Sequence, residues 1–194
     1  MTYRAAELEQ AFAEHIRAVS EALARVGAEY MLIGGLAVGV WVEPRATKDA
    51  DLSVRVLAPV NALKGALANA GLEVVRGDLT RAVERGEVVR LRRGAPSGTP
   101  IVIDLLFATT PFEIDALARR RPLHVLGVDV PVTTPEDLFI FKLIAGRPQD
   151  LADAHQLYEV HGETFDIARV RRWCRDFGAE ERVEALTRWT PREP

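Results

Sequence analysis

At 194 residues the chain has the length of one domain with room for an appendage, and its composition, 48% hydrophobic and 27% charged, excludes wholesale disorder. Lys and Arg total 25 against 28 for Asp and Glu, a net charge of −3, which excludes a uniformly basic nucleic-acid coat while leaving room for a local basic face. The single cysteine, Cys174, excludes an intrachain disulfide and a multi-thiolate zinc site and points to a reducing, cytoplasmic setting. Arg4, Glu7, Glu9, Glu14 and Arg17 interrupt any signal-peptide core, and no apolar run approaches a membrane span. A soluble intracellular chain without a membrane partner is expected.

Leu8, Phe12, Ile16, Val19, Leu23 and Val26 recur at spacings of three and four, one stripe of an amphipathic helix that Gly27 can end. Ala28 to Ile33 reads as a buried strand running into Gly34-Gly35, and Leu36 to Val42 as a short helix leaving that turn, ended at Glu43-Pro44. Ala50 to Leu57 alternates and reads as a strand, followed by a helix over Ala58 to Ala70. Glu87 to Arg93 reads as a further strand, Gly94 to Pro100 as a turn, and Ile101 to Phe107 as a central strand interrupted only by Asp104. Leu123 to Val132 predicts a hairpin turning at Gly127-Val128-Asp129. From Thr134 the pattern is helical: Thr134-Pro135-Glu136-Asp137 carries a cap, a proline for the first helical position and acids for the first turn. Further helices are expected from Pro148 to Val160, from Asp166 to Phe177 and from Ala179 to Trp189. The expected class is α+β with an α/β-type core, a small mixed sheet flanked by helices over residues 1–132, followed by a helical region over 133–194 packed on it.

The chemistry concentrates on three acids. Asp49 and Asp51 are two apart on an expected strand and therefore share a face. Two neighbouring carboxylates repel, and a hard divalent cation between them relieves the repulsion; magnesium suits such oxygen ligands and completes its shell with water and phosphates. Asp104 lies alone in an apolar strand, where a charge is costly without a partner. A neighbouring strand carrying Asp49 and Asp51, together with a metal, would account for all three. Taken singly, an Asp-x-Asp, a strand-end acid and a glycine turn all have ordinary structural explanations; the ordered combination is what singles this segment out.

In that order of strand, Gly34-Gly35, short helix, Asp49-x-Asp51 and later acid, the chain resembles the nucleotidyltransferase superfold of DNA polymerase beta and kanamycin nucleotidyltransferase. It is more similar still to the abortive-infection nucleotidyltransferase toxins of type IV toxin–antitoxin systems, through Gly34-Gly35-Leu36-Ala37, Arg45-Ala46-Thr47-Lys48-Asp49-Ala50-Asp51-Leu52, and a later helix with Lys142, Arg147, Asp150 and Asp153. The resemblance covers roughly residues 28 to 160. It implies transfer of an NMP from an NTP to a hydroxyl of RNA such as tRNA, of a protein or of a small molecule, a cognate antitoxin, and two Mg2+ ions, or Mn2+, on Asp49, Asp51 and Asp104. Asp104 would serve the acceptor-side metal or act as general base. Gly34, Gly35, Arg45, Thr47, Lys48, Lys142, Arg147 and Asp150 would bind the nucleotide.

Gly35 stands where many members of the superfold place a phosphate-holding serine, although backbone amides at a helix N-terminus still bind phosphate. That departure favours a rival reading, a catalytically inactive binding or antitoxin-like module of the same fold; a nuclease-like magnesium site is a third. The arginine groups Arg90-Arg92-Arg93, Arg119-Arg120-Arg121 and Arg169-Arg171-Arg172-Arg175 read either as an RNA track or as solvated faces balanced by acids, and the net charge favours the second. Lys142 on an apolar run either extends to solvent or meets phosphate or Asp150.

Overall fold

The computed structural model describes residues 5–44, 47, 49–94 and 101–188. They divide into two compact units, one of Met1–Ala37 and Arg45–Thr133, the other of Val38–Pro44 and Thr134–Pro194.

Helix α1 (Ala5–Arg25) precedes strand β1 (Glu29–Ile33), helix α2 (Gly34–Trp41) and strand β2 (Asp49–Arg55). Then come α3 (Val60–Asn69), β3 (Leu72–Arg76), α4 (Leu79–Arg85), β4 (Val88–Arg93), β5 (Val102–Phe107), α5 (Pro111–Arg119), β6 (Arg121–Val125) and β7 (Val128–Val132). Among the described residues the strands form one mixed seven-stranded sheet in the order β3-β4-β5-β2-β1-β7-β6. β2 is antiparallel to β1 and parallel to β5, β4 is antiparallel to both β5 and β3, and β7 is parallel to β1 and antiparallel to β6.

One face of the sheet carries a large apolar cluster. Leu52 and Val54 of β2, Ile103, Leu105 and Phe107 of β5, and Val89 and Leu91 of β4 pack against Val19 and Leu23 of α1, Leu63 and Leu67 of α3, and Leu79 and Ala82 of α4. Because side chains alternate along a strand, Asp49 and Asp51 of β2, Asp104 of β5 and Arg90 of β4 are turned to the opposite face. The core period thus decides where the polar residues go.

Three details depart from the sequence reading. Two stretches without an assigned element, 71–86 and 109–122, are structured: β3 and α4 occupy the first, α5 and the start of β6 the second. α4 is capped by Asp78, whose carboxylate accepts from Arg81 N, and is closed by Gly86 at φ 69°; α5 starts on a reciprocal Thr110–Glu113 capping box with Pro111 in its first turn. The β6–β7 turn sits one residue earlier than expected. Leu126 (φ 50°) and Gly127 (φ 77°) are its central pair, and positive φ at both is the turn geometry that matches strand twist. α2 begins at Gly34 itself rather than after the glycine pair.

In the second unit α6 (Pro135–Ala145) is capped by Thr134 Oγ1, which accepts from Asp137 N at 3.1 Å, and ends on Gly146 at φ 64°. α7 (Pro148–His161), α8 (Ile167–Asp176) and α9 (Glu180–Thr187) follow. Phe139 of α6 packs 5.7 Å from Tyr158 and 5.3 Å from Phe165, measured between ring centroids. Arg169 of α8 is held by both Glu136 (2.9 Å) and Asp137 (2.7 Å) at the start of α6. Among the described residues no helix is long and apolar enough to cross a membrane.

Candidate active site

β1 ends at Ile33, whose register partner on β2 is Asp51. The next residue, Gly34, has φ +68°, and a Cβ built on it would fall 1.9 Å from Asp51 Oδ2 and 2.8 Å from Asp51 Cβ. Any other residue fails here twice, through the left-handed backbone and through overlap with the carboxylate. The glycine turn and the second aspartate are therefore one packed unit, and the turn leads directly into α2, whose first amides have no acceptor within the helix, as at any helix N-terminus. Gly35 lies in that first turn. Asp49, half-buried, shares the face of Asp51, and Thr47 Oγ1 donates to its backbone oxygen (3.1 Å) and lies 3.2 Å from Oδ1.

Asp104 is the register partner of Asp51 across the parallel β2–β5 pair and is 8% exposed. Its other neighbour supplies a partner that the sequence does not announce. Arg90 of β4 is in register with Asp104 and grips it with both arms of its guanidinium, Nε to Oδ1 at 2.8 Å and Nη2 to Oδ2 at 2.7 Å. That hydrogen bonding, then the charge of Asp104, with lesser effects of Asp49 and Asp51, raises the Arg90 pKa further above its already high ordinary value. Arg90 is in turn the register partner of Arg76 on β3. A single row thus crosses five strands: Ile33, Asp51, Asp104, Arg90, Arg76. Its glycine-turn end is acidic and its β3 end is basic. Beside the basic end lies a hollow of about 410 Å3 bounded by Arg76, Val88, Arg90 and Asp104.

Asp49 and Asp51 offer hard oxygen donors on one face, a set that fits a Mg2+-type cation. Among the described residues, however, no three Asp, Glu, His or Cys side chains gather into a ready metal cluster. Both oxygens of Asp104 are on Arg90. The expected trio shares a face without forming a closed cage.

Arg45 and Lys48 lie outside the described residues. Lys142, Arg147 and Asp150 come together within the second unit. Lys142 Nζ, its side chain 8% exposed, lies 3.1 Å from Asp150 Oδ1 and 2.8 Å from Asp153 Oδ2, while Arg147, 77% exposed, reaches Asp150 Oδ2 at 2.5 Å. Burial is the largest influence on Asp150 and pushes its pKa up, but the hydrogen bonds from Arg147 and Lys142 outweigh it and hold the carboxyl below its ordinary value.

Much of the arginine excess is neutralised locally. Arg92 meets Glu73 at 3.7 Å, Arg171 meets Glu184 at 3.0 Å, and Arg175 meets Glu180 at 2.7 Å. These pairs favour balanced faces over an RNA track. Cys174 is fully buried, and burial pushes its thiol up to about 12, which suits packing and not nucleophilic chemistry.

The mixed sheet, with a glycine turn packed on Asp51 and a register-matched acid on the next parallel strand, is a nucleotidyltransferase fold. The profile of the AbiEii nucleotidyl transferase toxin of type IV toxin–antitoxin systems matches residues 6–193, and the chain belongs to that family. No curated protein sequence matches it. Among solved structures, JHP933 from Helicobacter pylori is similar at 17% identity and TM-score 0.52, over 92% of this chain and 78% of that one. The lincosamide antibiotic adenylyltransferase LnuA, solved with lincomycin, is similar at 14% identity and TM-score 0.51, over 76% of this chain and 96% of that one. The antibiotic-resistance factor ANT(2'')-Ia is similar at 14% identity and TM-score 0.53, over 92% and 90%. At these identities the likeness is one of fold.

Proposed function

We propose that this nucleotidyltransferase moves an NMP from an NTP to a hydroxyl acceptor at the acidic end of the strand row, and acts as the toxin partner of a cognate antitoxin. The observation that carries this reading is the packing of Gly34 on Asp51: the start of α2 lies beside that carboxylate, and a phosphate bound at the helix N-terminus would meet it there. Asp49 and Asp51 are the residues that would hold Mg2+ or Mn2+, and Thr47 orients Asp49 for it. A divalent cation bound there supplies the charge neutralisation that pyrophosphate departure requires. Asp104 takes the acceptor proton, or holds a second ion, once its oxygens are released by Arg90. In the second unit Lys142 and Asp150 fix Arg147, whose exposed guanidinium is suited to phosphate. Arg45 and Lys48 complete the proposed nucleotide contacts, and RNA, protein or a small molecule is the acceptor class to be identified.

The test is incubation with each labelled NTP, Mg2+ and total RNA or protein extract, beside Asp49→Asn and Asp51→Asn. Both variants keep side-chain volume, so they are expected to fold while transfer falls by about a hundredfold or more, the scale of a lost electrostatic contact in a transition state. Wild-type transfer by both would overturn the assignment. The second reading, an inactive module of the same fold, is favoured by Gly35 and by the engagement of Asp104 with Arg90. Nucleotide binding with no transfer by the parent protein, restored by Gly35→Ser, would establish it.

A further inference from the structure

The row across the sheet changes sign between Asp104 and Arg90, and the contact at that boundary is the closest charge pair in the row. We propose that Arg90 is a latch on Asp104: its guanidinium occupies both carboxylate oxygens and keeps them from a divalent cation at Asp49 and Asp51 until a tetrahedral anion in the adjoining hollow draws Arg90 away. The inference rests on the assignment of Asp49 and Asp51 as metal ligands made above. Three observations support it. The contact is two-armed and satisfies Asp104 in the plane a cation would approach. Arg90 is 38% exposed on its side chain, so it can swing where the buried Asp104, at 11%, cannot. Arg76 stands directly opposite Arg90 on β3, and like charges so placed destabilise a strand pair unless an anion lies between them. The hollow bounded by those two arginines, Val88 and Asp104 is where that anion fits. Arg90 is accordingly a positioning residue, acting on the metal site through Asp104.

The consequence is an order of events. With the hollow empty, the acid pair on β2 binds a cation weakly because its neighbour Asp104 is committed. A phosphate-type group in the hollow bridges Arg76 and Arg90, and the oxygens of Asp104, which stays in place beside its register partner Asp51, are then open to a cation at the acid pair. The third acid is recruited by the anion rather than standing ready.

Mn2+ binding, followed by the electron paramagnetic resonance signal of free Mn2+ with the intact chain, tests this without any turnover. In chloride, Arg90→Gln is expected to bind Mn2+ about tenfold more tightly than wild type, since an apparent affinity falls by the fraction of competent molecules and a latch closed about 90% of the time costs that factor. Arg90→Lys, which keeps the charge but lacks the two-armed grip, is expected to show part of the gain, and Arg76→Gln, which removes a neighbouring charge but leaves the latch, none. In an Asp104→Asn background the Arg90→Gln gain is expected to vanish, the mark of two residues acting as a pair. Replacing chloride by sulfate at constant ionic strength is expected to tighten Mn2+ binding in wild type and to have no effect in Arg90→Gln or Arg76→Gln. Equal Mn2+ affinity in wild type and Arg90→Gln, an equal gain from Arg76→Gln, or indifference of the wild type to sulfate would each overturn the latch. These outcomes leave the metal site itself standing; Mn2+ binding unaffected by Asp49→Asn would overturn both.

Discussion

Gly34→Ala separates the packing of the glycine turn from its backbone geometry, because the molecule contains its own control. Gly34 and Gly27 have nearly the same conformation, φ +68° and +64°, but a Cβ at Gly27 meets nothing within 4 Å whereas one at Gly34 meets Asp51 Oδ2 at 1.9 Å. Gly27→Ala therefore carries only the left-handed penalty, about 1–2 kcal/mol. Gly34→Ala carries that penalty and an overlap that rotating the carboxylate cannot relieve, since Asp51 Cβ itself lies 2.8 Å away. β1 and β2 must part slightly, at the roughly 1–3 kcal/mol typical of overpacking. The sum is about 3 kcal/mol, or a fall of about 6–12 °C in Tm at this chain length. Asp51 is displaced in the process, so transfer should drop on the order of a hundredfold, as for loss of one electrostatic contact. Thermal melts of the two variants, with transfer measured well below both midpoints, make the comparison. A Gly34→Ala protein that melts with Gly27→Ala and transfers at the wild-type rate would refute the claim that Gly34 is required by Asp51.

Lys142→Met leaves Asp150 and Asp153 buried without their shared cation and should cost about 3–5 kcal/mol in a denaturant titration; a loss below that of an ordinary surface substitution would contradict the buried triad. The Asp150 pKa is lower in the folded than in the unfolded chain, so its contribution is complete at neutral pH and is lost as pH falls below the ordinary value of 3.8 and through the lowered one. Asp150→Asn should accordingly show a shallower fall of stability in that acid window than wild type, read from urea midpoints at several pH values; parallel curves would exclude the coupling. Cys174, with its thiol pushed up to about 12 by burial, should resist a thiol reagent at mildly alkaline pH until denaturant is added; rapid labelling of the native chain would count against the helical core around it.

The alternation of β2 and β5 and the glycine turn were legible because each is a local signal. Leu52, Val54, Ile103 and Leu105 face the core, and the acids between them must face away. β3 was not legible for the converse reason: as an edge strand it buries only Leu72, so Glu73, Val74, Val75 and Arg76 leave no alternation to read. α4 and α5 carry cap signals, Asp78 with Gly86 and Thr110 with Glu113, but at seven and nine residues they are too short for a hydrophobic period to stand out. The partner of Asp104 was hidden by topology. Arg90 falls among Arg92 and Arg93 and reads as part of a solvated run, and only the placement of β4 on the far side of β5 from β2 brings it to the acid. Sequence periodicity reports faces, not neighbours. The separate grouping of Val38–Pro44 with the C-terminal helices has no sequence signal either, since α2 runs without interruption through that boundary.

The parallel pairing of β2 with β5 also sets a timetable for the growing chain. Asp51 and Asp104 are 53 residues apart in sequence (104 − 51) yet adjacent in the sheet, and β1 pairs on its other side with β7, at the far end of the same unit. Closing a loop of that length costs about 3.5 kcal/mol plus a constant before the contact returns anything. Helices, the β6–β7 hairpin and the β3–β4 pair, joined through α4, form from near neighbours, whereas the acid row waits for a strand made several seconds later at ordinary elongation rates. A ribosome-bound fragment ending before β5 holds the glycine turn and the Asp49–Asp51 segment but lacks the strand that sets them side by side with Asp104. The proposed site is thereby completed only once β5 has been synthesised and paired.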